Sequence, residues 1–119
     1  MKDISIINNK KILPVLQDFT NEVKNIIGDR LEVIILYGSY ARNEETNESD
    51  IDLIILINDA EDNLKNYREK LSKVRLKISL EYDVVVSLIL KSYDYYIQYN
   101  DILPFYSVIR NEGIELYGR

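Results

Sequence analysis

Two short motifs, separated by a polar segment, constrain this chain more than any other feature of its sequence. Gly38-Ser39 ends one hydrophobic run and Asp50-Ile51-Asp52 opens the next, within LYGSYARNEETNESDIDLIIL. Small residues at a turn after a strand let backbone N–H groups approach a phosphate closely. The hydroxyl of Ser39 can bind the same phosphate oxygens. The first motif is therefore a candidate phosphate site.

The second motif carries two paired carboxylates. Asp50 and Asp52 are two residues apart, so in an extended strand both side chains point to the same face of the sheet. Ile51 and Leu53 then point to the opposite face, into apolar packing. Converging oxygen ligands suit Mg²⁺, which proteins commonly bind through one or two carboxylates together with substrate phosphates and water. The alternative is a helix-capping serine followed by two surface aspartates.

The run YGSYAR…SDIDL resembles the signature of the DNA polymerase β-type nucleotidyltransferases, and the chain is most similar in length to the minimal nucleotidyltransferase (MNT) domains of prokaryotes. The resemblance extends from the helix before the first strand to the closing IRNEGIELYG. It implies that Gly38 and Ser39 lie against a nucleotide triphosphate and that Asp50 and Asp52 bind divalent metal. Asn43 stands where such motifs often have glycine. Asparagine tolerates a left-handed backbone better than most residues, so we expect the turn to be kept.

Three further residues are candidates for the site. The resemblance implies a third carboxylate from a later strand, and Asp83 lies in LEYDVVVSLIL, where β-branched residues predict a strand over 82–89. A carboxylate in such a run is costly to bury unless it is paired or bound to metal. We therefore expect Asp83 to be the third metal ligand and a possible general base; the alternative is a solvated aspartate at a strand end. Arg42 and Ser49 are predicted to contact the nucleotide.

Composition limits the chemistry that is available. The 119 residues fit one domain, 1–119, that is large enough to bury a core. The absence of cysteine and histidine excludes disulfides, thiolate and zinc-type metal sites and Ser-His catalysis. The net charge of −5 argues against tight non-specific nucleic-acid binding, so no direct binding is expected. There is no membrane-length apolar stretch and no signal-peptide pattern, so we expect a cytoplasmic protein.

The spacing of apolar residues predicts the secondary structure. Helices are expected at 10–27 (regular from about Leu13), 39–43, 61–79 and 92–111 with a break at Pro104. Strands are expected at 31–37, 51–57 and 82–89, and residues 113–117 form either a short final strand or a tail. This order predicts an α/β (α+β) chain. Its small mixed sheet would have helices packed mainly on one face, which is the polymerase β-type fold that the resemblance implies.

The resemblance also implies a reaction and a partner. AMP would move from ATP to an acceptor hydroxyl, with Mg²⁺ (two ions) held by Asp50, Asp52 and Asp83. Because the chain stops soon after the third predicted strand, we expect another chain to supply the acceptor surface, which favours a protein substrate. Minimal relatives act as antitoxins that attach AMP to a tyrosine of a small all-helical HEPN ribonuclease toxin. An aminoglycoside-type small-molecule nucleotidyltransferase and a non-catalytic binding antitoxin remain alternatives.

Overall fold

A computed structural model describes residues 1–119 and places a four-stranded mixed sheet at the centre of the chain. The strands are β1 (Leu31–Tyr37), β2 (Ile51–Ile57), β3 (Val86–Ser92) and β4 (Ile114–Gly118). Their order across the sheet is β3-β2-β1-β4, and β1 is antiparallel to both of its neighbours. Strands β2 and β3 are parallel, as their connection through a long helix requires. The predicted fold class is confirmed.

Four α-helices cover the sheet: α1 (Leu13–Ile27), α2 (Lys65–Tyr82), α3 (Tyr93–Tyr99) and α4 (Pro104–Glu112). Helix α1 has Pro14 in its first turn, where the missing N–H costs nothing, and it ends at Gly28 with φ +64°. Pro104 likewise opens α4 and separates it from α3, as predicted. No helix has both the length and the apolar character needed to cross a bilayer.

The two faces of the sheet bury different clusters. The larger cluster lies between the sheet and the two long helices, with Phe19 of α1 and Leu71 of α2 at its centre. The smaller cluster packs Ile35 and Ile54 of the sheet against Tyr106 of α4 and neighbouring residues of α3. The longer helices therefore share one face, and the two short helices cover the face on which Asp52 lies.

Two predicted elements differ from the structure. Residues 39–43 form a turn rather than a short helix, because Asn43 adopts φ +57° and breaks helical geometry. Strand β3 begins at Val86 rather than at residue 82, since α2 continues through Tyr82. Its left-handed cap at Asp83 (φ 53°, ψ 51°) then separates the helix from the strand.

The aromatic ring at the centre of the larger cluster tests this packing. Phe19 is fully buried, so Phe19→Ala should lower the free energy of unfolding by about 3–5 kcal/mol in a urea titration. Leu80→Ala is the control, because Leu80 on α2 is 75% exposed and its truncation should change stability by no more than about 0.5 kcal/mol. Equal losses of unfolding free energy in the two variants would contradict the burial of Phe19 in the larger cluster.

Candidate active site

The end of β1 brings the glycine turn into contact with the carboxylate pair. Antiparallel pairing sets Tyr37 opposite Asp52, so the next residue, Gly38, lies beside the aspartate. Gly38 has φ +79°, and a Cβ at this position would be 2.2 Å from Oδ2 of Asp52. Both the backbone conformation and the close approach therefore require glycine here. The structure brings the two sequence motifs together as predicted.

The turn after Gly38 is closed by its own backbone. The Arg42 N–H donates to the carbonyl of Gly38 at 3.1 Å, and the Glu44 N–H donates to the carbonyl of Ser39 at 2.9 Å. Asn43 is left-handed, and its side chain accepts from the Asn8 N–H at 2.9 Å. It also donates to the carbonyl of residue 6 at 3.0 Å. Asparagine thus keeps the turn, as predicted, and anchors it to the N-terminal segment.

Asp50 and Asp52 form a site of concentrated negative charge. Ile51 and Leu53 are buried in the larger cluster, which leaves Asp52 on the opposite face, and Asp50 is exposed beside it. Burial raises the pKa of Asp52, and repulsion from the Asp50 carboxylate raises it further; the Arg42 guanidinium only partly opposes these effects. The positive charge near the two ionised carboxylates therefore does not balance their negative charge, and this favours binding of a cation.

A third acidic residue, Glu112, reaches the same place from the end of α4. Its Oε1 accepts from the Gly38 N–H at 3.0 Å, and its Oε2 accepts from Nη1 of Arg42 at 3.0 Å. The Nε of Arg42 donates to Glu44 at 2.9 Å. Glu112 was not predicted from the sequence, because it lies 74 positions from Gly38 and no local pattern links the two residues.

Ser49 takes a different position from the one expected of a nucleotide ligand. Its hydroxyl accepts from the Thr46 N–H at 2.9 Å, and its own N–H donates to the Thr46 carbonyl at 3.1 Å. These two bonds close the polar loop that leads into β2. The structure therefore gives Ser49 a loop-closing role, and its contact with a nucleotide stays a prediction.

The predicted strand through Asp83 is wrong. Asp83 caps α2 in the left-handed conformation, its N–H donates to the carbonyl of Ser79, and the first pair between β2 and β3 forms three residues later. In that register Ser87, not an acidic residue, lies opposite Asp52. No group of three or more acidic, histidine or cysteine side chains is arranged to hold a metal ion. The structure therefore does not bring Asp83 into a triad with Asp50 and Asp52.

Comparison with known proteins identifies the family. The model of the nucleotidyltransferase domain family matches residues 16–110. The chain belongs to this family. A Methanocaldococcus jannaschii protein named "Putative protein adenylyltransferase" is 35% identical over 80 residues, which cover 67% of this chain and 79% of that protein. A second protein of that organism with the same description is 35% identical over 77 residues, which cover 65% of this chain and 70% of that protein. The predicted enzyme class, a nucleotidyltransferase, is confirmed.

Solved structures of toxin–antitoxin proteins share the fold. A crystal structure of a mutant MntA–HpeT toxin–antitoxin has a TM-score of 0.59 at 19% identity, covering 87% of this chain and 73% of that one. A toxin–antitoxin structure with AMP-PNP has a TM-score of 0.52 at 23% identity, covering 94% and 74%. This chain therefore shares the fold of these toxin–antitoxin proteins.

The donor set of this nucleotidyltransferase suits a magnesium ion that arrives with phosphates. Asp50 and Asp52 supply two hard oxygen ligands on one face, which is the number that Mg²⁺ commonly takes from protein when a nucleotide and water supply the rest. A tightly held resident ion would need a fuller set of protein ligands, and that set is not assembled here. Asp50 and Asp52 are the residues that would hold the ion.

Aromatic side chains flank the site on the side of the short helices. Burial raises the pKa of Tyr37 to about 12, with further contributions from Asp52 and Glu112, so its phenol stays protonated at neutral pH. The Tyr37 ring meets Phe105 of α4 edge to face, with centroids 5.7 Å apart. The largest concave surface, about 510 Å³, lies elsewhere, between α1 and α2, and is lined by Lys70 and other residues. Asp50 is exposed and Asp52 is half-buried, and neither residue lines one of the concave surfaces.

Proposed function

We propose that this chain is a Mg²⁺-dependent nucleotidyltransferase that moves AMP from ATP to a hydroxyl of a partner protein. The observation that carries the proposal is the contact between the Gly38 turn and Asp52. It sets anion-binding groups, the Gly38 N–H and the Arg42 guanidinium, directly beside a pair of carboxylates. Nucleotidyl transfer needs this combination, because the triphosphate and its metal must be held together.

Each residue of the site has a separate role in the proposed reaction. The Gly38 N–H and Arg42 bind the phosphates that leave, and the Ser39 hydroxyl is available to the same oxygens. Asp50 and Asp52 hold Mg²⁺, which when bound neutralises charge on the reacting phosphates. The acceptor oxygen forms a bond to the α-phosphorus as the bond from that phosphorus to the bridging oxygen breaks. Pyrophosphate leaves, and the hydroxyl proton passes to solvent.

Exposed apolar side chains beside the site support a protein acceptor. Phe105 is 41% exposed, Val108 47% and Ile102 70%, all on or next to α4. Because Phe105 touches Tyr37, and Tyr37 pairs with Asp52, this apolar surface is continuous with the site. A partner that covers it could present a tyrosine hydroxyl to the carboxylates. The names of the relatives and the toxin–antitoxin neighbours favour a toxin, and the sequence resemblance favours a HEPN ribonuclease.

One observation favours a second candidate function, that of an antitoxin that binds its partner without catalysis. Asp83 caps a helix, and Ser87 stands opposite Asp52, so the two aspartates have no third acidic neighbour on β3. Such a chain could retain nucleotide binding and the apolar docking surface while transferring nothing. The two functions differ in whether the α-phosphate of ATP ends on the partner.

Labelled ATP separates these functions. Where a neighbouring gene encodes a small helical protein, that protein should be incubated with the purified chain, Mg²⁺ and ATP labelled at either the α- or the γ-phosphate. We expect the α-label, and not the γ-label, to become covalently attached to the helical protein. Inhibition of that protein without attached label would support the non-catalytic function. Label on an added aminoglycoside would support the small-molecule alternative.

A further inference from the structure

The carboxylate of Glu112 occupies the donors that the turn would offer to a phosphate. One oxygen accepts from the Gly38 N–H and the other from Nη1 of Arg42, each at 3.0 Å. Only 16% of the Glu112 side chain is exposed, so the carboxylate lies in the turn and not in solvent. Carboxylates and phosphates accept from the same charge-assisted donors, and the single N–H of Gly38 donates poorly to both at once.

We propose that Glu112 is an internal competitor for the nucleotide's phosphates and thereby sets the nucleotide affinity of the site. This inference rests on the proposed function, since it takes the Gly38 turn as the phosphate site. A bound triphosphate replaces the carboxylate on Gly38 and Arg42, and Glu112 rotates away. Breaking the two contacts of Glu112 costs free energy that opposes nucleotide binding. The protein therefore binds nucleotide more weakly than it would if Glu112 did not contact the turn.

The charges around the turn require this displacement. Asp50 and Glu112 both repel the Asp52 carboxylate, and Arg42 is the cation that faces Asp52 and Glu112. Arg42 is also shared with Glu44, at 2.9 Å. A triphosphate added while Glu112 stayed in place would meet an excess of like charge at short range. Glu112 also lies at the C-terminal end of α4, where the helix dipole disfavours an anion, so the turn itself is what holds it.

The release of Glu112 is confined to its side chain. Gly113, which follows it, is buried, and a Cβ there would lie 2.3 Å from the carbonyl oxygen of Ile109 and 2.6 Å from Cγ2 of Ile35. The backbone at the end of α4 is therefore locked against β1. Rotation of the glutamate removes its carboxylate from the turn without moving the helix, so the competitor can exchange quickly with a nucleotide.

Glu112→Gln tests the inference, with Glu44→Gln as the matched control. Glutamine keeps the shape and an acceptor for the Gly38 N–H but removes the charge and the acceptor facing Arg42. We expect the Kd for ATP with Mg²⁺, and for inorganic tripolyphosphate, to fall about tenfold in E112Q, which corresponds to ~1.4 kcal/mol. Glu44 binds the same arginine without touching Gly38, so E44Q should change either Kd less than about twofold. The difference in Kd between wild type and E112Q should become smaller as salt is added.

Several results would overturn the inference. Wild type that binds ATP and E112Q that binds it equally or more weakly would show that Glu112 only supports the turn. An equal fall of the Kd in E44Q would show that the removal of any nearby negative charge has the same effect. If neither wild type nor E112Q bound ATP or tripolyphosphate, while thermal unfolding showed both to be folded, the proposed function would fail together with the inference. Retained wild-type binding therefore separates the two failures.

Discussion

Asp52→Asn is expected to lower AMP transfer at least about 10³-fold while leaving the protein folded. The amide keeps the size of the side chain but removes one of the two charges that we propose hold the ion beside the phosphates. Loss of several kcal/mol of stabilisation at the transition state corresponds to a loss of that size. The rate of label transfer at saturating Mg²⁺ and ATP measures it. Asp29→Asn, an exposed aspartate at the opposite end of β1, is the control and should leave the rate unchanged.

The same substitution should not destabilise the protein at neutral pH. Burial, Asp50 and Glu112 raise the pKa of Asp52 in the folded state, so folding disfavours its ionised form. The stability that this group contributes is present below its unfolded pKa, near 3.9, and is lost as pH rises through the higher folded pKa. Urea unfolding should therefore show wild type losing stability relative to D52N as the pH rises above about 4. A less stable D52N at pH 7, or an undiminished rate, would contradict the assignment of Asp52.

Gly38→Ala should reduce transfer on the order of 10²-fold or more. An alanine Cβ would be 2.2 Å from Oδ2 of Asp52, so the carboxylate must move away from the turn. A displacement of about 1 Å in a reacting group is enough for a loss of that size. The backbone at φ +79° also disfavours alanine, at a cost of roughly 1–3 kcal/mol in the free energy of unfolding.

Gly28→Ala is the matched control for this prediction. Gly28 also has positive φ, +64°, but a Cβ there would have no atom within 4 Å. Gly28→Ala should lower the free energy of unfolding by a similar amount. It should leave AMP transfer intact, because Gly28 lies at the end of α1. Comparing the two variants separates backbone strain from the clash with Asp52. Similar activity in both would mean that the approach of Gly38 to Asp52 is not needed for the reaction.

Local sequence patterns predicted the parts of this molecule whose causes are local. The alternation over Ile51–Leu53 predicted the faces correctly, with Ile51 and Leu53 in the larger cluster and Asp52 between them on the opposite side. Asn43 was expected to keep a left-handed turn and does so. Gly28 ends a helix because glycine tolerates a positive φ, and Pro104 starts one because its ring fixes a φ that suits the first turn.

The start of β3 could not be predicted in this way. The β-branched residues after Tyr82 favour a strand, but α2 packs Ile78 into the larger cluster and continues to Tyr82, which leaves Asp83 as its cap. Local propensity is a weak preference that tertiary packing overrides. This shift of a few residues puts Ser87 opposite Asp52 and removes Asp83 from the position that the sequence predicted.

By itself the sequence determined the two halves of the site: a glycine turn that can bind phosphate and an Asp-x-Asp pair on one face of a strand. Only the tertiary structure decided what surrounds them. Glu112 reaches Gly38 because α4 folds back across the sheet before β4 pairs with β1, which joins residues 74 positions apart. Spacing along the chain reports contacts between near neighbours, whereas charges brought together by packing depend on the path of the whole backbone.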